Sequence, residues 1–488
     1  MSKYKNLTIL HSNDMHGDFL ADNVDEKLIG GVSMLSGYVN KVRNETPNTL
    51  YCIAGDMFRG SVIDSEFKGM STIEIMNTIA PDVVTLGNHE TDYGITHLLF
   101  LEKCAKFPII NANLYIKTNH ARLFNSHKII EIDGMKILFI GIITENVMKQ
   151  AKNEGIIGSF VDVFEATKEV GRICNAYNAE DIDLTILLTH IGFEEDKLLA
   201  ENLDPAWGVD IIIGGHSHTF IEKPEIVNNI LITQAGTGTD LIGRFDLLID
   251  TENNCLFDYK WSTVPINSDN CPHDEAIDRL INSYKSVTDK IYMRSITRLN
   301  AKLTHPNRYR ETTLGDLFAD ILKEYLALDV MFLTSGSIRT DSLGPLVLYA
   351  DLVECYPYDE EIYLLKIKGK DLKRMFKYVF RSEVFEGLHS GFFQLSKGIK
   401  IVYDIPKNEI LEVTYNSKDI EDEAIFKVGI QKYQLNNFDK YFNISLSDIA
   451  LTKPRAIATS PRTIIEEYLM YHQNIDKKID GRIILIEE

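Results

Sequence analysis

No two of the six cysteines are spaced as C-x-x-C. Cys52, Cys104, Cys174, Cys255, Cys271 and Cys355 stand apart, several of them inside apolar runs. This argues against a disulfide framework and predicts free, mostly buried thiols in a reducing compartment. Long apolar runs are missing as well. No stretch reaches membrane-spanning length, and "MSKYKNLTILHSND" has no apolar segment long enough for a signal peptide. A cytoplasmic chain with no membrane partner is expected. Positive charge is also scarce. With 51 Lys and Arg against 71 Asp and Glu, the formal net charge is −20, which repels a nucleic-acid polymer at long range. An acidic protein that handles an anion must concentrate metal ions or arginines at one place. Internal repeats and low-complexity segments are absent.

What is present is a soluble globular composition, 44% hydrophobic and 25% charged. A chain of 488 residues is too long for one compact domain. Its first half repeats a short aliphatic run, then glycine-rich polar residues, then a helical stretch. The runs are "LTILHSND", "TLYCIAGD", "DVVTLGNHE", "MKILFIGIIT", "LTILLTHIG", "VDIIIGGHSH" and "ILITQAGTG". Short continuous apolar runs suit strands buried on both faces under helices, an α/β arrangement. After Pro272, the residues Ile277, Leu280, Ile281, Tyr284 and Val287 recur at helical spacing. The chain therefore divides into residues 1–272, a linker helix over 273–292, and a second unit over 293–488. In that unit Leu314, Leu317, Ile321 and Leu322 predict a further helix, and the remainder reads as short strands and turns.

The strand ends carry the chemistry. In order they offer Asp14 and His16, Asp56, Asn88 with His89, His190, and His216 with His218. A lone histidine after a strand is more often a hydrogen-bonded surface residue than a ligand. Five separate runs ending in metal-competent side chains are another matter, because in open α/β sheets the C-terminal ends of strands share one crevice. Oxygen and nitrogen donors without thiolate suit borderline or hard divalent cations.

The blocks "LHSNDMHG", "AGDMF", "GNHETDYG", "LTHIG" and "GGHSHT" resemble the signature of calcineurin-like metallophosphoesterases, most closely their 5′-nucleotidase branch. That branch includes UDP-sugar hydrolases and cyclic-nucleotide phosphodiesterases. The resemblance implies a four-layer α/β/β/α sandwich followed by an α+β substrate-binding domain. It also implies two divalent ions, Mn, Zn or Fe. Asp14, His16 and His218 would hold one; Asn88, His190 and His216 would hold the other; Asp56 would bridge them. His89 would be the catalytic histidine and Asp92 the carboxylate that orients it. "NRYRETTLGDLFAD", "LTSGSIRT", "CYPYDEEIYLLKIKG", "FFQLSKGIKIVYD" and "FKVGIQKYQLNNFDKY" resemble the C-terminal domain of the same branch. There Arg308 and Arg339 would grip phosphate, Tyr358 and Tyr433 would sandwich a base, and Asp439 would bind ribose.

Three features depart from the branch pattern. Thr334 replaces an asparagine, both stacking positions are tyrosine, and Asn437, Phe438 and Lys440 stand where glycines are usual. Asp359 and Glu360, if they face the pocket, would repel a second phosphate and favour monophosphates. The leading expectation is a phosphohydrolase for nucleoside 5′-monophosphates or another small phosphorylated metabolite. Open beside it are a 2′,3′-cyclic phosphodiesterase, a UDP-sugar hydrolase, and a nucleotide sensor that no longer turns over.

Overall fold

The computed structural model describes residues 3–116, 118–143, 157–159, 162–385 and 391–487. Thr144, which closes the "MKILFIGIIT" run, lies outside them. The chain separates into two compact units, Met1–Thr288 and Asp289–Glu488. The break falls inside the long helix Glu275–Tyr292.

Two six-stranded sheets form the first unit. In one, Tyr4–Ser12, Thr49–Ala54, Val83–Thr85 and Ile109–Ile110 run parallel, and Leu241–Asp250 and Cys255–Pro265 extend one edge antiparallel. In the other, Met135–Ile143, Leu184–His190, Ile211–Ile213 and Ile230–Thr233 are parallel, with antiparallel edges at His127–Ile132 and Glu225–Val227. Alternate strand residues point to opposite faces, and here both faces are apolar. Leu7, Ile9, Cys52 and Val83 from one sheet meet Ile137, Phe139, Ile186 and Ile211 from the other in a buried inner layer. Leu10, Tyr51 and Val84 pack outward against the helices Val32–Glu45, Met70–Ile79 and Ile95–Cys104. Leu138, Ile140, Leu187 and Ile212 pack outward against Val163–Ala176 and Phe193–Asn202. The result is the four-layer α/β/β/α sandwich.

Helix Glu275–Tyr292 buries Ile277 and Ile281, and Leu280 and Tyr284 pack partly against the same core. Val287 is exposed, so the apolar stripe read from the sequence ends one turn early.

The second unit is α+β. Its central sheet has the order Phe393–Leu395, Val330–Thr334, Ile425–Gln431, Ile362–Lys368 and Arg455–Ala458. A four-stranded sheet and two short antiparallel strand pairs complete it. Helix Thr313–Tyr325 forms where its spacing predicts, capped by Thr312, whose hydroxyl accepts the Gly315 N–H at 3.1 Å. Helices Gly369–Val379 and Pro461–Tyr471 lie in the stretch read from the sequence as strands and turns. The second has a start signal of its own. Ser460 accepts the Thr463 N–H, and Pro461 sits at the first helical position, where its missing N–H costs nothing.

All six cysteines are thiols, with Cys52, Cys174, Cys271 and Cys355 buried. Among the described residues no helix is long and apolar enough to cross a membrane.

Candidate active site and metal centre

Five parallel strands of the two facing sheets deliver the candidate donors, all at their C-terminal ends. Asp14 and His16 follow Tyr4–Ser12, Asp56 follows Thr49–Ala54, and Asn88 and His89 follow Val83–Thr85. His190 is the last residue of Leu184–His190, and His216 and His218 follow Ile211–Ile213.

The chain reverses abruptly there. Asp14, His16, Asp56, His216 and His218 have φ of 51°, 50°, 52°, 81° and 53°. Such backbone is unfavourable for residues with a Cβ and persists only where the surroundings hold it. Hydrogen bonds between the loops do so. The Asp14 N–H donates to Gly55 O at 3.1 Å, and the His16 N–H to Asp56 O at 3.0 Å. The His216 N–H reaches both Asp14 oxygens at 3.0 Å.

Three overlapping groups of donor atoms result: Asp14, His16 and His218; Asp56, His190 and His216; and His16, Asp56 and His89. Within each, all atoms lie within 4.8 Å of one another. His16 Nε2 and His218 Nε2 face each other at 3.1 Å. His190 is fully buried, and its Nδ1–H donates to Ala54 O at 2.8 Å, which turns Nε2 into the cluster. That Nε2 lies 3.1 Å from Asp56 Oδ2 yet makes no hydrogen bond. Asn88 joins through its Oδ1, 3.0 Å from His216 Nδ1.

Nitrogen and carboxylate oxygen donors turned on one another repel unless positive charge lies among them. Burial works against charge on His190, but the Asp56 and Asp14 carboxylates push its pKa up to about 10. Burial would raise Asp56 in turn, and His190 holds it well below the usual carboxylate range. The orphaned Nε2, the facing imidazoles and the thiolate-free donor set fit divalent cations bound by nitrogen and oxygen.

His89 stands at the edge of this cluster. Its Nδ1 is 2.7 Å from Asp92 Oδ2, one 3₁₀ turn away over His89–Thr91. That hydrogen bond raises the His89 pKa despite burial. The Asp92 carboxylate is not free, because Arg59 Nε approaches the same oxygen at 3.3 Å.

Several supporting residues escape a reading of the motifs alone. Glu90 is fully buried and accepts the N–H groups of Met57, Gly87 and Asp56 at 2.7, 2.6 and 3.1 Å, tying two donor loops together. Asn13 donates to Asp14 Oδ2 at 2.7 Å and to Gly236 O at 2.8 Å. Gln234 accepts from Ser217 and donates to buried Asp196, setting the "GGHSH" loop. Gly87 has a steric role. A Cβ there would lie 2.2 Å from Asp56 Oδ1.

In the second unit, Arg339, Tyr358 and Tyr433 flank one edge of the central sheet. Val330–Thr334 and Ile425–Gln431 are parallel and end there, while the antiparallel Ile362–Lys368 begins there, with Ile362 paired to Gln431. The Arg339 guanidinium lies over the Tyr358 ring at 5.7 Å. Tyr358 and Tyr433 are about half exposed, at 52% and 48%, so each ring has a face to offer. Arg308 and Asp439 are exposed, and no hydrogen bond joins the side chain of either to the other three.

Gln431, missed in the motifs, holds this edge. Its Oε1 accepts the Thr334 N–H at 3.0 Å, and its Nε2 donates to Ser337 and Tyr356. The Asn437–Lys440 segment is not a glycine-type loop. It joins the helices Lys432–Asn436 and Phe438–Phe442, and Phe438 is buried against Phe442 at 4.6 Å. Asp359 does not face outward as a lone charge, since its carboxylate accepts from Ser460 Oγ and the Arg462 N–H. Glu360 takes the Tyr433 N–H at 3.4 Å. Asp359 is therefore not a free charge that would repel a second phosphate.

Comparison with known proteins agrees with this geometry. The family model for calcineurin-like phosphoesterases matches residues 7–220, and that for the 5′-nucleotidase C-terminal domain matches residues 294–444. The chain is 27% identical to the 5′-nucleotidase of Mus musculus, across 98% of this chain and 90% of that protein. It is 26% identical to the trifunctional nucleotide phosphoesterase protein YfkN of Bacillus subtilis (strain 168), across 88% of this chain and 31% of that longer protein. The crystal structure of a 5′-nucleotidase precursor from Thermus thermophilus has the same fold, with a TM-score of 0.64 at 21% identity, covering 99% of this chain and all of that one. The chain belongs to the calcineurin-like phosphoesterases, in the branch that carries the 5′-nucleotidase C-terminal domain. It is accordingly a phosphoric monoester hydrolase of a family that works with divalent metal ions.

Proposed function

We infer that the chain releases inorganic phosphate from nucleoside 5′-monophosphates with two divalent cations. One observation carries this reading: the strand ends of two facing sheets converge Asp14, His16, Asp56, His190, His216 and His218 on one cluster, beside a separate His89–Asp92 pair. Asp14, His16 and His218 would hold one ion, Asn88, His190 and His216 the other, and Asp56 both. Mn, Zn or Fe suit such donors. When bound, a pair of such ions supplies Lewis acidity towards phosphoryl oxygens and lowers the pKa of water.

The protein's own groups do the rest. His190 is fixed in orientation by Ala54 O, and Glu90 keeps the Asp56 and Gly87 loops in register. His89, held protonated by Asp92, stabilises charge on the phosphoryl group or gives its Nε2 proton to the departing ester oxygen. In the C-terminal unit, Tyr358 and Tyr433 offer flat faces for a base, and such stacking contributes about 1–3 kcal/mol per ring without reading base identity. Arg308 and Arg339 suit phosphate recognition, and Asp439 suits ribose hydroxyls. The nucleotide preference rests on similarity to the mouse 5′-nucleotidase and on these exposed rings.

A diesterase or sugar-nucleotide activity on the same site is the second reading, favoured by the similarity to a trifunctional phosphoesterase. Six unpaired thiols support a cytoplasmic setting. A phosphate-release screen over nucleoside monophosphates, 2′,3′-cyclic nucleotides and UDP-sugars, run with Mn, Zn and Fe, tests the proposal. Fastest release from AMP or another 5′-monophosphate is expected. Tight AMP binding with no release under any metal overturns it.

A further inference from the structure

A second group of carboxylates gathers in the C-terminal unit. Glu311, Asp316 and Asp480 each bring an oxygen to within 4.8 Å of the others. Glu311 precedes helix Thr313–Tyr325, Asp316 lies in its first turn, and Asp480 precedes strand Ile483–Ile486. Asp316 is fully buried, and neither of its oxygens accepts a hydrogen bond.

The obvious counter-charge is already committed. Arg482 Nε lies 3.5 Å from Asp316 Oδ1, but a guanidinium has five N–H groups and all are directed elsewhere. Nε donates to Asp480 at 2.6 Å. One terminal nitrogen donates to Asp320 and Leu395 O at 2.7 and 2.8 Å, the other to Asp320 and Asp480 at 2.7 and 2.9 Å. Lys477 is likewise taken up by Asp320 at 2.8 Å. Glu311 accepts the backbone N–H groups of Gly481 and Ile483 at 3.0 and 2.9 Å, one on each oxygen.

Four carboxylates, Glu311, Asp316, Asp320 and Asp480, thus outnumber the two cations ion-paired among them, Arg482 and Lys477. Burial pushes the Asp316 carboxyl up to about 9, with Glu311 and Asp480 adding to it and Arg482 opposing. A buried carboxylate with no hydrogen bond must share a proton with Glu311 or take a cation. The donors are all oxygen, which selects a hard cation. Asp316 has no solvent on it, which favours Ca2+, with its loose geometry, over Mg2+, which keeps its waters.

We propose that Glu311, Asp316 and Asp480 bind one divalent cation of the calcium class, which ties the start of helix Thr313–Tyr325 to strand Ile483–Ile486. None of these residues belongs to the donor cluster of the first unit.

The test is equilibrium dialysis of the full, Mn-loaded chain against Ca2+, for the parent, Asp316→Asn and Asp480→Asn, with thermal unfolding of each in and out of Ca2+. The parent should take up about one Ca2+ per chain and Asp316→Asn none. Ca2+ should raise the parent transition by roughly 5 °C at a hundredfold excess over its dissociation constant and leave Asp316→Asn unmoved. Asp480 is half exposed, so Asp480→Asn should fold and bind roughly tenfold more weakly or worse. The proposal is overturned if the parent takes up no Ca2+, or if either variant binds it as the parent does. Parent material without Ca2+ uptake, together with an Asp316→Asn variant more stable than it, would assign a shared proton instead.

Discussion

His89 Nδ1 and Asp92 Oδ2 lie 2.7 Å apart, and the same carboxylate is approached by Arg59 at 3.3 Å. The imidazole is thereby held in one orientation with its Nε2 directed away from Asp92, and its protonated form persists above its ordinary range. Replacing Asp92 by Asn removes the largest cause of that upward shift. The alkaline limb of the kcat profile should move to lower pH while the acidic limb stays in place, and turnover near neutrality should fall roughly 10–100-fold. A pH–rate series on the loaded enzyme checks this.

His89→Ala should keep its metal content and lose roughly 10²–10⁴ in turnover. The loss should be greatest on substrates with poor leaving groups, where a proton on the departing oxygen matters most. Equal rates of variant and parent on such a substrate would remove His89 from that role.

Glu90→Gln presents an amide group to three backbone donors that now share one carboxylate. A buried N–H left without an acceptor costs about 1–3 kcal/mol. The variant should unfold at lower temperature and retain less metal, because the Asp56 and Gly87 loops are no longer tied. Thermal unfolding with elemental analysis reads both effects. Gly87→Ala should act more severely, since its Cβ would displace Asp56.

Tyr358→Ala and Tyr433→Ala should each raise KM for a nucleoside monophosphate by roughly 5–150-fold, following about 1–3 kcal/mol of lost stacking. Hydrolysis of glycerol phosphate, which has no ring to stack, should be unchanged. Parallel kinetics on the two substrates separate recognition from chemistry.

The strand-end donors are legible in the sequence because each follows an apolar run, and the sheets bring the ends of those runs to one edge. Their backbone is not legible. Nothing in "NDMHG" announces that Asp14 and His16 both take left-handed φ, since that conformation is held by hydrogen bonds that their N–H groups donate to the carbonyls of Gly55 and Asp56, far along the chain. Glu90, Asn13, Gln234 and Gln431 are hidden for a related reason. A polar residue beside a strand reads as surface until its partners, distant in sequence, are known to surround it. Asp359 shows the converse. Its charge suggests a pocket lining, yet Ser460 and Arg462, about a hundred residues on, take it up at the start of helix Pro461–Tyr471.

We propose that separate strand ends cage two ions through Asp56. Elemental analysis of the purified chain loaded with Mn, compared with its Asp56→Asn and His216→Ala variants, tests it most directly. Two ions per chain are expected in the parent and fewer than two in each variant, with phosphate release lost in step. A parent that retains no transition metal, or variants that retain the full complement, would contradict it.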